Sequence, residues 1–203
     1  QHNNPSSFIN KDVFIGAFEK SVQDFYDADE NTEYYDNKYN LPQDSTRVEV
    51  EFRYGRYFNT FTNGVDQATF QKVKGELMKT LKSSMTETFT KDFITNDNVR
   101  ITKDRNDNVL EITKKSPYKN MRHSKNISGN KALYFTPKNV QYDVGFALAY
   151  EIDLTSTFKM ADDKFKMVRE KYRTSFIGDL IRFDLTKVVT DGQNTSYEIE
   201  LEL

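Results

Sequence analysis

The stretch V-E-V-E-F-R-Y-G, Val48 to Gly55, decides how the rest of the chain is read. Val48, Val50 and Phe52 alternate with Glu49, Glu51 and Arg53, so a strand here carries apolar residues on one face and charges on the other. The end of the chain repeats the device: Tyr197, Ile199, Leu201 and Leu203 interleave with Glu198, Glu200 and Glu202. Between these lie R-E-K-Y-R, with Arg169, Lys171 and Arg173 on one face, and R-F-D-L-T, with Arg182, Asp184 and Thr186 on one face. Further alternation sets Val99 and Ile101 around Arg100, and Leu110 and Ile112 against Glu111, Thr113 and Lys115. It also sets Phe146, Leu148, Tyr150, Ile152 and Leu154 against Ala147, Ala149, Glu151 and Asp153. Asp191-Gly192 marks a hairpin.

The charged faces are sorted by sign. Carboxylates at i and i+2 lie about 7 Å apart and repel by about 2 kcal/mol at an effective dielectric near 20. Three in line are stable only in open water or with cations. An enclosed row of carboxylates suits a hard divalent ion, Mg²⁺ or Mn²⁺, because oxygen donors select such metals. A row of arginines and lysines suits a polyanion, since the guanidinium fork matches phosphate oxygens. Together they are the equipment of metal-assisted phosphoryl transfer. A single Glu-x-Glu or Lys-x-Arg usually marks a solvated sheet face with weak ion pairs. Two acidic rows and two basic or mixed rows, each opposite an apolar row, make that bland reading the minority one.

Two helices flank the strands. Phe14, Phe18, Val22 and Phe25 form a helical stripe from about Lys11 to Tyr26, and the acidic, tyrosine-rich Asp27–Asn40 reads as a linker or wrapping loop. A second helix is expected from an Asp66 N-cap to about Lys82, with Phe70, Val73, Leu77 and Leu81 on one face. The whole reads as a mainly β, α+β chain: residues 1–40 an N-terminal helix and linker, 41–203 a single β domain.

Composition narrows the chemistry. In 203 residues, 29 Lys and Arg face 31 Asp and Glu, which excludes a nucleic-acid binder acting through bulk charge. Sixteen Phe and twelve Tyr exclude a disordered chain. With no Cys and only His2 and His123, disulfides, thiolate metal sites and multi-histidine zinc centres are excluded, and a histidine triad is disfavoured. Any enzyme here works with carboxylates and cations. No apolar run reaches the ~20 residues of a membrane helix and no secretory core opens the chain, so an intracellular, membrane-free protein is expected. The start at Gln1 and the stop inside a strand pattern suggest a domain cut from a longer polypeptide.

The two glutamate motifs, with Arg169–Arg173 and Arg182–Thr186, resemble those of the triphosphate tunnel metalloenzymes, most closely their RNA 5′-triphosphatase branch in mRNA capping of fungi, protozoa and large DNA viruses. The Asn, Lys, Tyr and Phe bias is similar to that of a giant-virus capping enzyme of the mimivirus kind. The resemblance implies an eight-stranded antiparallel β-barrel tunnel, its charged rows inside and its apolar rows packed outward against helices. It implies divalent metal, Mg²⁺ or Mn²⁺, on Glu49, Glu51 and Glu202, with Glu198 and Glu200 alongside. Arg53, Arg100, Lys115, Arg169, Lys171, Arg173 and Arg182 would grip phosphates. Glu151 would orient or deprotonate the attacking water, Asp184 would orient cationic neighbours, and Thr186 would hydrogen-bond behind them. The pleat favours Lys115 over Lys114, puts Lys187 outside, and gives Tyr54 and Arg56 structural roles; Glu111 fits only near a mouth. The implied substrate is the 5′-triphosphate end of RNA, and the implied partner a fused or associated guanylyltransferase. Free nucleoside triphosphates, inorganic tripolyphosphate, or a non-catalytic polyphosphate-binding barrel are the alternatives. The basic segment Lys114–Lys131 is a candidate rim loop for RNA.

Overall fold

The computed structural model describes residues 32–58, 61–81, 84–117, 133–135, 141–159, 165–178 and 181–202. The expected Lys11–Tyr26 helix and the basic segment after Pro117 lie outside the described residues. Ten strands are described: β1 (Thr46–Tyr57), β2 (Phe61–Asn63), β3 (Met85–Ile94), β4 (Val99–Lys103), β5 (Val109–Pro117), β6 (Leu133–Phe135), β7 (Asp143–Asp153), β8 (Met167–Ile177), β9 (Arg182–Thr190) and β10 (Asn194–Glu202). Two helices accompany them, α1 (Thr32–Tyr39) and α2 (Gln67–Leu81).

Eight strands run β1-β10-β9-β8-β3-β4-β5-β7, each antiparallel to its neighbour. β7 then returns to β1 along a ladder from Thr46↔Ile152 to Gly55↔Asp143, which closes the barrel. Closure pairs β1 with β7, which would otherwise be the two edges of an open sheet. β2 and β6 are short additions to β1 and β7. The expected hairpin at Asp191-Gly192 joins β9 to β10, both residues having positive φ. Among the described residues no helix is long and apolar enough to cross a membrane.

The hydrophobic core lies outside the barrel, in two clusters. In one, Phe146, Leu148, Tyr150 and Ile152 of β7 pack with Ile101 and Ile112, and with Val48, Val50 and Phe52 of β1. α1 covers this cluster through Tyr35 and Tyr39; Tyr35 rests on Tyr150 with centroids 4.7 Å apart. In the other, Phe70, Val73 and Leu77 of α2 cover Phe176, Leu185 and Ile199. Asp66 caps α2 as expected, its carboxylate accepting the Thr69 N–H at 2.8 Å.

The Asp27–Asn40 stretch differs from expectation, because Thr32–Tyr39 is helical rather than a loop. Glu33 in its first turn and Lys38 in its last suit the helix dipole. Asn40 ends it at φ 51°, with the Leu41 N–H on the Asp36 carbonyl at 2.8 Å. Burial of Asp36 and packing by Tyr35 and Tyr39, one helical turn apart, stabilise a segment without an aliphatic stripe.

Phe146 is 1% exposed, and its ring lies 5.2 Å from that of Phe52. Phe146→Ala should destabilise the fold by about 3–5 kcal/mol, read from denaturant unfolding, because the barrel wall cannot collapse into the cavity.

Candidate active site

The barrel interior is a polar tunnel of about 450 Å³. Eight cations line it: Arg47, Arg53, Arg100, Lys115, Arg169, Lys171, Arg173 and Arg182. Eight carboxylates share the wall: Glu49, Glu51, Asp92, Glu111, Glu151, Glu198, Glu200 and Glu202. Asn63, Thr88, Thr90 and Thr102 complete it. The alternation of each strand does this, since apolar residues taken up by the outer clusters force their neighbours inward. β7 also makes room. Ala149 stands opposite Glu49 and Ala147 opposite Glu51, so small residues face the paired glutamates.

Most of the charges are held in place by opposite ones. Lys115 contacts the Glu49 carboxylate and lies 3.7 Å from Glu51, which also binds Arg53. Arg53 Nε approaches Glu200 at 3.9 Å, and Asn63 Nδ2 donates to Glu200 at 3.1 Å. Arg169 bonds Glu198 at 2.7 Å, and Arg182 bonds Glu202. Arg173 reaches Asp184 at 2.9 Å and donates to Thr186 Oγ1 at 3.2 Å. Asp184 sits fully buried behind the wall, where Ser175 donates to it at 2.6 Å and Arg182 at 3.1 Å. One carboxylate thus orients two arginines.

At another part of the lumen, Glu151 is gripped from both sides. Arg47 donates to its Oε2 at 2.5 and 3.0 Å, and Arg100 binds its Oε1 while donating to Thr113 at 3.1 Å. Lys171 bonds Asp92 at 2.5 Å, and Thr102 donates to the same carboxylate at 3.0 Å.

These contacts set the protonation states. Burial pushes Glu51 upward, but the hydrogen bond and charge of Arg53, with Lys115 nearby, outweigh it and hold Glu51 down to about 2. Glu200 goes the other way, to about 8, because the tunnel wall strips it of water and it faces the negative charges of Glu51 and Glu198. Glu51 and Glu200 are hydrogen-bonded neighbours, so the metal-free pair keeps one proton at neutral pH. Burial would also raise Glu151, yet Arg47 and Arg100 pull it below the usual carboxylate range. Lys171 is lowered, chiefly by burial, with Asp92 opposing.

The oxygen-only donor set fits a hard divalent ion, and two adjoining carboxylates held with one proton between them are a place where a cation replaces that proton. As they stand, no three carboxylates among the described residues are close enough to hold one ion. Glu49 is turned to Lys115 and Glu202 to Arg182, so gathering them around a metal requires these two side chains to leave their cations.

Glu49, Glu51, Arg53, Arg100, Lys115, Glu151, Arg169, Lys171, Arg173, Arg182, Glu198, Glu200 and Glu202 all line the one tunnel, with Asp184 and Thr186 behind Arg173. Glu111 also lines a smaller pocket with Asp44 and Asp153, beside Arg47 and Glu151. Sequence reading missed β3 and its Asp92. The signal was present as Thr86, Thr88, Thr90 and Asp92 at period two, but threonines carry no charge row. It also missed Arg47, two residues before Glu49 on the same face, where R-x-E-x-E-x-R extends the motif by one step.

The profile of the family described as mRNA capping enzyme, beta chain, matches residues 35–203. A search of curated protein sequences finds no match. Among solved structures, the S. pombe Pct1 RNA triphosphatase aligns with a TM-score of 0.61 at 17% identity, covering 77% of this chain and 70% of that one. Pct1 in complex with the Spt5 CTD aligns with a TM-score of 0.60, also at 17% identity, over 77% of this chain and 71% of that one. At such identity the likeness speaks for the fold, an antiparallel tunnel barrel. The match of the profile over most of the length speaks for descent: the chain belongs to the mRNA capping enzyme beta chain family.

Proposed function

We propose that this chain is a metal-dependent RNA 5′-triphosphatase that removes the γ-phosphate from triphosphate-ended RNA, the first step of cap formation. The observation that carries the reading is a closed tunnel whose lining side chains are all polar, with eight cations interleaved among eight carboxylates. A triphosphate carries its charge along a short rod, and such a lining can neutralise it on every side.

In this reading water attacks the γ-phosphorus in line, a new P–O bond forms, and the bond to the bridging β–γ oxygen breaks. Orthophosphate leaves, and the RNA keeps a diphosphate end. Arg173 and Arg182, aimed by Asp184, stabilise charge on the transferring group. Lys171, Arg169, Arg100, Lys115 and Arg53 bind the remaining phosphate oxygens. Glu151 orients the water by accepting a hydrogen bond. Its depressed proton affinity makes it a weak base, so positioning is its larger contribution. Glu49, Glu51 and Glu202, with Glu198 and Glu200, would hold Mg²⁺ or Mn²⁺, which supplies Lewis-acid charge at the phosphate oxygens. No covalent intermediate is required, so the scarcity of histidine is no obstacle.

The rival reading, hydrolysis of free nucleoside triphosphates or tripolyphosphate, is favoured by a lumen that offers only polar and charged side chains and no apolar surface for a base. Phosphate release from triphosphate-ended RNA, ATP and tripolyphosphate should be measured with Mg²⁺, Mn²⁺ and EDTA. Release from RNA that stops in EDTA and yields diphosphate ends is the expected result. Undiminished turnover in EDTA would sink the mechanism. The capping role also implies association with a guanylyltransferase, which accepts diphosphate-ended RNA.

A further inference from the structure

The ladder between β3 and β4 spans only Lys91–Ile94 against Lys103–Arg100. The earlier half of β3, Met85 to Thr90, has β8 on one side and, among the described residues, no strand on the other. Beside it a groove of about 850 Å³ runs between α2 and the turn after β4. Thr88, Thr90 and Arg173 line both this groove and the tunnel, so the two are contiguous.

The linings of the two spaces differ in kind. The tunnel has no apolar side chain, whereas the groove has Phe89 and Tyr172 with ring centroids 4.9 Å apart, and Tyr172 is 42% exposed. Leu110 beside them is 54% exposed. A cation overlies each ring: Arg105 lies 5.2 Å from the Phe89 centroid and Lys187 lies 5.7 Å from that of Tyr172. Both cations are exposed. The acids of the groove are already engaged, Glu87 by Lys74 at 3.2 Å and Asp104 by the amides of Asn106 and Asn108 at 2.7 and 2.9 Å. Tyr172 is the exposed ring of the pair and Phe89 the half-buried one. Accessible aromatic rings with cations within reach of a backbone are what single-stranded nucleic acid binds, through stacking and phosphate contacts.

We propose that this groove carries the first nucleotides of a single-stranded RNA whose triphosphate end lies in the tunnel, with Phe89 and Tyr172 stacking bases and Arg105 and Lys187 meeting phosphates. The proposal rests on the triphosphatase reading, and adds where discrimination between RNA and small triphosphates arises. A phosphate chain finds all its contacts in the tunnel, while a base finds its first apolar surface in the groove.

The test uses the full chain and the variants Arg105→Glu/Lys187→Glu and Tyr172→Ala, none of which touches the lumen charges. Steady-state phosphate release is compared on triphosphate-ended RNA of about 20 nucleotides and on tripolyphosphate. Each variant should lose roughly 10-fold or more in kcat/KM on RNA and keep tripolyphosphate hydrolysis within about twofold. In parallel, fluorescence anisotropy with the same RNA bearing a 5′-hydroxyl reads the groove without any hydrolysis. Binding should weaken in both variants and show a shallower salt dependence in the charge-reversed one. Equal losses on RNA and tripolyphosphate, or unchanged RNA kinetics and anisotropy, would overturn the assignment; the second result would leave the groove to a protein ligand. If the wild type hydrolyses no triphosphate, the triphosphatase reading fails, and anisotropy alone then decides the groove.

Discussion

Glu51→Ala and Glu200→Ala are each expected to reduce phosphate release by about 10³-fold or more while the barrel stays folded. These two carboxylates adjoin at the seam where β1 meets β10. They have opposite proton affinities, Glu51 near 2 and Glu200 near 8. Losing either removes half of the place where a divalent ion would displace a proton, and a Lewis acid contributes several kcal/mol, with each 1.36 kcal/mol worth tenfold.

The same pair makes a sign-definite pH prediction. Below about pH 8 the metal-free pair holds one proton on Glu200, and ion binding must release it. Apparent metal affinity should therefore rise with pH up to about 8. Titration calorimetry at pH 7 in two buffers of different ionisation enthalpy should report about one proton released. Glu200→Gln should abolish that release. Because Glu200 is raised above its ordinary 4.5, its contribution to stability is present at low pH and is lost as pH rises through about 8. Glu200→Gln should thus raise the melting temperature of the metal-free protein by a few degrees at pH 9 and leave it unchanged near pH 4. A melting temperature lowered at pH 9 would contradict the assigned charge states.

Arg173→Ala carries the second large effect, a loss of roughly 10²–10³-fold in kcat. Its guanidinium is fixed by Asp184 at 2.9 Å and Thr186 at 3.2 Å, and it lies 4.0 Å from Glu200, so it is aimed before substrate arrives. Arg173→Lys should recover only part of the loss, since an ammonium keeps the charge but not the planar fork. Asp184 keeps Ser175 and Arg182 as partners in either variant, and the melting temperature should move little. Single-turnover kinetics on triphosphate-ended RNA separates the expected fall in the chemical step from a change in binding. A pure KM effect would assign Arg173 to holding substrate rather than to the transferring phosphate.

How far the sequence could be read depended on charge. In β8 and β10 the inward residues are rows of one sign, and in β1 and β9 they are mixed but charged at most places, so the pattern is visible without any partner. β3 hid because threonines, Thr88 and Thr90, fill two of its inward places and are equally at home on a solvated face, so Asp92 looked isolated. α1 hid because its burial is carried by Tyr35, Tyr39 and Asp36 rather than by an aliphatic stripe. Arg47 was missed for a different reason: its importance lies in reaching Glu151, 104 residues away.

The even balance of charges, 29 basic against 31 acidic, concealed this sorting until each residue was assigned a strand face. That assignment needs only the period of two, a property of the local backbone, so the sequence alone determined which side chains could share an enclosed surface. Whether the surface closes, and which cation meets which carboxylate, depended on β7 returning to β1 and on distances across the lumen. Protonation follows those distances, as the contrast between Glu51 and Glu200 illustrates. Two glutamates in equivalent motifs differ because one is hydrogen-bonded to Arg53 while the other meets Arg53 only at 3.9 Å and faces its neighbours' negative charge. Electrostatic interaction acts between groups close in space, however far apart they are in the chain, so only the tertiary structure could decide it.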